Sequence, residues 1–218
     1  MTAPKHLVAV CGKRHHGKDT FADVFAAEFG FQKIAFADTL KKVLNSAYKI
    51  SEEMLYGPEQ RDAPFSTPFT PTETMVNKML TEVEAIQPLT PELRQRLHQR
   101  LTERDYPTTR AILDHLGTDV LRQELSDRFL IDATAANFTS ENVIIPDARL
   151  PLERQIIKNE WGGTLVFLIR LGYELEDHNH AVHQNLGAAE EYDYIFESHS
   201  AEENREHARS LAKKLPGN

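Results

Sequence analysis

A short apolar run, His6-Leu-Val-Ala-Val10, breaks into Cys11-Gly-Lys-Arg-His-His-Gly-Lys-Asp-Thr20, after which a helical pattern begins. This bracketed loop constrains the fold more than anything else in the chain. The run before it is apolar at nearly every position, as expected of a strand buried on both faces of a parallel sheet. After it, Phe21, Val24, Phe25 and Phe29 form one helical stripe, and Gly30 is a natural stop. Between them, Gly12 and Gly17 free the backbone to turn its N–H groups inward and to approach a ligand closely. The helix that follows aims its positive dipole end at the same point. A loop built this way holds phosphate.

Lys18 adds a mobile charge suited to β- and γ-phosphates. The Gly-x-x-x-x-Gly-Lys pattern usually continues with Ser or Thr, which holds Mg²⁺. Here Asp19 takes that place and Thr20 follows one position later. Lys13 and Arg14 raise the local positive potential. His15 and His16 either donate to phosphate or remain ordinary loop residues, and His16 stays among the nucleotide-binding candidates.

Beyond the loop, Phe31 to Ala37 reads as a second strand. A helix capped by Asp38 or Thr39 runs to Tyr48, burying Leu40, Val43, Leu44 and Ala47. Ser51 to Leu55 is a short helical turn. Four prolines between Tyr56 and Pro71 argue against regular structure there. Glu73 to Ile86 and Pro91 to Arg104 read as charged helices. The segment 56–107 is therefore expected to be a helical insert, a lid or substrate-binding subdomain within one domain of 1–218.

Helices are expected from Arg110 to Glu124, with Gly117 marking a close backbone approach, and from Asp127 to Phe138. Asn142 to Pro146, Thr164 to Arg170 and Tyr192 to Phe196 read as strands. Pro151 opens a helix to Trp161, and Ser200 with Glu203 forms a capping box for a last helix to Leu215. The alternation predicts an α/β fold, about five parallel strands flanked by helices.

Charge narrows the function. Lys plus Arg number 25 against 33 Asp plus Glu, a formal net charge of −8 among 218 residues. A general binder of polymeric nucleic acid or of anionic membranes carries the opposite sign. A small anionic ligand is still allowed, because it feels a local field. The single cysteine, Cys11, excludes an internal disulfide and fits a reducing compartment. No apolar run reaches the ~20 residues that span a bilayer, and the first ten residues do not read as a signal peptide. The expectation is a cytoplasmic protein.

Ligands of open parallel sheets bind beyond the carboxyl ends of the strands. That rule gathers Phe36-Ala-Asp-Thr-Leu-Lys41, Pro146-Asp-Ala-Arg149 and Arg170 near the loop. Asp147, after a buried strand, is placed to order Mg²⁺ or to cap the next helix. Arg149 suits a two-pronged phosphate clamp or a surface ion pair. His178, His180 and His183 have a weak metal-like spacing that no cysteine completes.

These segments, with Arg110-Ala-Ile-Leu-Asp-His-Leu-Gly-Thr-Asp119 and Gly162-Gly-Thr-Leu-Val-Phe-Leu-Ile-Arg170, are together similar to the phage deoxynucleoside monophosphate kinase family. The similarity covers most of the chain except 58–107, and a Gly-Lys-Asp-Thr loop is usual in that family. It implies transfer of the γ-phosphate of ATP to a deoxynucleoside monophosphate, ordinary or modified, with Mg²⁺. Thr20 and Asp147 would hold the metal through water. It also implies a homodimer, and the host cytoplasm as location if a phage encodes the chain. By resemblance, Lys41 and Arg61 reach the acceptor, Arg149 matches the arginine of the Asp-x-Arg corner, and Gly117, Thr118 and Asp119 face the acceptor pocket. Arg110 joins them, and Phe129 alone remains of an aromatic pair for the base. Arg170 or Arg122 would assist Arg149 and Arg61 in neutralising phosphate charge. Phosphomevalonate kinase of the animal type has a similar loop, dephospho-coenzyme A kinase shares the architecture, and a non-catalytic nucleotide switch is the remaining alternative.

Overall fold

The computed structural model describes residues 4–102, 104–173 and 187–215. The histidines at 178, 180 and 183 lie outside the described residues. The chain divides into two compact units, Met1–Phe36 with Thr134–Asn218, and Ala37–Ala133.

The first unit is a five-stranded parallel sheet. Its strands are β1 (His6–Cys11), β2 (Gln32–Lys33), β5 (Asn142–Ile145), β6 (Thr164–Arg170) and β7 (Tyr194–Ser198), in the order β2-β5-β1-β6-β7. β1 lies in the middle, with Val8 opposite Ile144 on one side and Thr164 on the other. Its residues Leu7 to Cys11 are buried, which is why the run is apolar throughout. Val8 and Val10 turn to one face with Ile144, Val166 and Leu168. They meet Phe21, Val24 and Phe25 of α1 (Lys18–Phe29) and Ala208, Leu211 and Ala212 of the last helix, Ala201–Ala212. Each buried Val, Leu, Ile or Phe side chain among them stabilises the fold by about 1.5–3 kcal/mol. Leu7 turns the other way, towards Gly163 and Ile157, where a methyl group on Gly163 would collide with both.

The second unit runs through α2 (Asp38–Tyr48), α3 (Glu52–Tyr56), α4 (Pro58–Asp62), β3 (Pro64–Phe69), α5 (Glu73–Ile86), α6 (Pro91–Thr102), β4 (Tyr106–Thr108) and α7 (Thr109–Asp114). A π-helix, His115–Leu121, then leads through α8 (Arg122–Glu124) to α9 (Phe129–Ala135), which the unit boundary crosses. Leu44, Met79, Leu80, Leu97, Leu101 and Ile112 lie at its centre. The helices of 73–102 therefore share a core with α2 and α7. In the first unit, α10 (Pro151–Asn159) links β5 to β6, a 3₁₀ turn spans Ala189–Glu191, and the last helix is α11.

The capping box expected at the last helix is present, whereas α2 begins after Ala37 without the side-chain cap expected from Asp38 or Thr39. Ser200 Oγ accepts from Glu203 N at 3.1 Å, and Glu203 reaches back to His199 N. Thr108 Oγ1 accepts from Ala111 N at the start of α7. The prolines of 56–71 are a correction, because α4 and β3 form among them. Proline is compatible with the first position of a helix and with the start of a strand. Among the described residues β3 pairs only with β4, and its register shifts between Pro64 and Phe69. The second strand is also shorter than expected, since only Gln32 and Lys33 join the ladder before the chain leaves the sheet edge.

The π-helix is the feature with no sequence forecast. It is fastened by Tyr106, whose phenol pairs with His115 Nδ1 at 2.7 Å in a buried contact. Tyr106→Phe leaves that nitrogen unsatisfied and is expected to cost about 1–3 kcal/mol. The readout is a lower urea midpoint at an unchanged slope, and a wild-type midpoint would refute it.

Candidate functional site

The loop after β1 takes positive-φ backbone at three residues. Gly12 has φ +141° and Gly17 φ +81°, and His15 also takes positive φ, at 63°. A side chain on Gly12 would place its Cβ 2.7 Å from Leu168 O, so only glycine fits between the loop and β6. Gly17 O accepts from Asn204 Nδ2 of α11 at 2.8 Å. Asn204 thus holds the loop from the far end of the chain.

Lys18 is buried, and its ammonium donates to Lys13 O at 2.7 Å. Burial first, and then the Arg149 guanidinium, lower its pKa to about 8. Asp19 and Asp147 act on Lys18 in the opposite sense, and an anion bound beside the ammonium would add to their pull. That arrangement is suited to gripping phosphate.

His16 is buried beneath the loop. Its Nδ1 lies 3.2 Å from Leu168 O and 3.3 Å from Arg170 N. It donates to the carbonyl in one tautomer and accepts from the amide in the other. Burial lowers its pKa, so the ring is neutral near pH 7. Its ties are thus to the end of β6, with Tyr173 edge-on to it. Lys13 and Arg14 are exposed.

Asp19 is drawn aside. Its carboxylate lies 3.2 Å from Lys33 Nζ, which also pairs with Asp23. An aspartate in the usual hydroxyl position therefore has a cation of its own at the sheet edge. Thr20 is half-buried in the first turn of α1.

At the Asp-x-Arg corner, Asp147 Oδ1 accepts from Phe36 N at 2.9 Å, which ties the end of β5 to the segment after β2. The cap of α10 is supplied by Glu153, which accepts from both Arg149 N and Leu150 N. Arg154, buried, donates to Arg149 O at 2.8 Å and to Glu191 at 2.8 Å. Arg149 is therefore braced through its backbone from both directions, while its side chain stays half-exposed. Sequence reading missed Asn204, Glu153 and Arg154. Only the Glu three residues after Leu150 carried a local signal, as one half of a capping box.

The remaining candidates belong to the second unit. Lys41 is buried beside Asp38 and over the Tyr56 ring. Arg110 is bound by Asp62 through both its Nε and Nη2 atoms, so it fastens α4 to α7. Arg61 lies on α4, one residue before that pair. Thr118 is exposed and Asp119 half-buried on the π-helix. Two expectations need correction. Gly117 faces Leu40 and Leu130, and an added Cβ would lie 3.3 Å from Leu40 Cδ2. Its smallness serves packing. Phe129 is 3% exposed inside the apolar cluster of this unit, so it offers no face to a base.

The five-stranded parallel sheet flanked by helices is consistent with a phosphate-loop kinase-like fold. No family model matches the chain. It is 26% identical over 207 residues to a protein of Acanthamoeba polyphaga mimivirus named "Putative deoxynucleotide monophosphate kinase", with 87% of this chain and 86% of that protein covered. This relative is viral but not from a phage. No helix among the described residues is long and apolar enough to cross a membrane.

Proposed function

We propose that the protein transfers the γ-phosphoryl group of ATP to the phosphate of a deoxynucleoside monophosphate. The carrying observation is the Gly12–Thr20 loop, with its buried Lys18 ammonium next to the charge of Arg149. The distant likeness to a viral protein named for this activity supports the choice of acceptor.

In this reading the loop N–H groups and Lys18 hold the β- and γ-phosphates, and Arg149 neutralises charge on the group in transit. The acceptor phosphate oxygen attacks the γ-phosphorus. A new P–O bond forms as the bond to the bridging oxygen breaks, and ADP leaves with that electron pair. The acceptor is already an anion, so no general base is needed, and catalysis rests on positioning and electrostatics. By the resemblance, Lys41, Arg61, Thr118 and Asp119 would take the acceptor. Thr20 and Asp147 would hold a hydrated Mg²⁺ through their oxygens, and Asp147 Oδ1 accepts from Phe36 N. That ion would screen the triphosphate charge.

The test is coupled ATP consumption with dAMP, dCMP, dGMP and dTMP, with diphosphate product confirmed by chromatography. At least one monophosphate should be converted in a magnesium-dependent way. Conversion of none of the four, with ATP hydrolysed at the same rate in Lys18→Ala, would refute the proposal.

A further inference from the structure

The ammonium of Lys41 lies 4.2 Å from the centre of the Tyr56 ring. Among the described residues its one carboxylate partner is Asp38, one turn back on α2 and 3.5 Å away, long for a charged hydrogen bond. Lys41 is 9% exposed, whereas Tyr56 is 46% exposed, among the most open large aromatic residues described. An enclosed ammonium ordinarily gains close carboxylates. Here the face of a ring takes part of that role, because its negative quadrupole attracts a cation from above. The ring accepts no directional hydrogen bonds of normal strength. Three N–H donors thus face one distant carboxylate and one ring, and an incoming phosphate oxygen is a far better acceptor for them.

Tyr56 ends α3, and α4 with Arg61 follows directly. The end of α4 is fixed in turn by the pair between Asp62 and Arg110. The ring is therefore carried on a braced element, so the ammonium rests against a fixed surface. Burial, with Asp38 and Glu52 nearby, raises the phenol pKa, which keeps the ring neutral at physiological pH.

From this geometry we infer that Tyr56 is a positioning residue for a phosphomonoester subsite centred on Lys41. Its ring holds the ammonium in place, and the ammonium takes the phosphate of the acceptor. The inference rests on the kinase reading for the identity of that acceptor, and the experiment separates the two.

Full-length wild type, Tyr56→Leu, Tyr56→Phe and Lys41→Met are compared by steady-state kinetics and by calorimetric binding of the four deoxynucleoside monophosphates. Tyr56→Leu should raise acceptor KM and Kd about tenfold, the size of one cation–π contact in a partly dry site. The KM for ATP should stay unchanged. Tyr56→Phe, which keeps the ring, should retain wild-type acceptor affinity, and Lys41→Met should lose at least as much as Tyr56→Leu. Wild-type acceptor affinity in Tyr56→Leu, with Lys41→Met impaired, overturns the role of Tyr56 and leaves the kinase reading intact. Equal losses in Tyr56→Leu and Tyr56→Phe overturn the ring-face argument. Binding that depends on the Tyr56 ring, without any phosphoryl transfer, upholds the subsite and overturns the kinase reading. Absence of both binding and turnover in the wild type overturns both.

Discussion

Lys18→Ala is expected to lower kcat/KM for phosphoryl transfer by about a thousandfold, the scale set by losing one preorganised charge at a transferring phosphate. The protein should stay folded. The ammonium it removes is buried and donates only to Lys13 O at 2.7 Å, and burial lowers its pKa to about 8, with Arg149 adding to the effect. A group under such strain adds little to the stability of the empty loop. On the proposed reading, its value appears when a phosphate arrives and adds attraction.

The same strain predicts a pH dependence with a definite sign. Below about pH 8 Lys18 is protonated in the free protein and ATP affinity should be level. Above it the free lysine is neutral, while bound phosphate raises its pKa, so binding must first restore the proton. Affinity should therefore fall as pH rises past 8. At pH 8 complex formation should take up about half a proton, measurable by calorimetry in two buffers of different ionisation enthalpy. Affinity that is level to pH 10, or a Lys18→Ala variant with wild-type turnover, would remove Lys18 from the phosphate site.

What the sequence revealed in advance was mostly local. β1, β5 and most of β6 show as apolar runs because they are buried, and the loop shows because two glycines and a lysine sit at the joint between a strand and a helix. Caps such as Ser200 with Glu203 show because both partners lie within one turn. Contacts across long separations leave no such trace. Asn204 holds Gly17 from 187 residues away, and nothing near Asn204 marks it. The π-helix at His115 was hidden for another reason. A wider turn is not encoded by any residue preference, and Gly117 alone pointed to crowding there. Phe129 shows the limit of residue type, since an aromatic side chain suits a base or a core equally, and only packing decides. Prolines misled at 64 and 68, because a strand paired on one side tolerates what a central strand does not.

Gly12→Ala is the second large effect, and it falls on both stability and function. Two costs add at one atom. The backbone at φ +141° is a region that residues with a Cβ rarely enter, at about 1–3 kcal/mol. The new methyl would also lie 2.7 Å from Leu168 O, part of the backbone of β6 and unable to swing away. Relieving such an overlap by shifting packed backbone costs about 1–3 kcal/mol. A combined loss of about 3 kcal/mol corresponds to a fall of roughly 6–12 °C in Tm for a domain of this size. The shift must be taken up by the loop, since β6 is paired on both sides by β1 and β7. The N–H groups would then leave their common focus, so ATP binding should vanish even at temperatures where the variant is folded. Gly30→Ala separates the two costs, because Gly30 has φ +69° but no atom within 4 Å of an added Cβ. It should lose about 1–2 kcal/mol and keep full nucleotide affinity. If Gly12→Ala binds ATP as tightly as Gly30→Ala does, the loop is not the phosphate cradle.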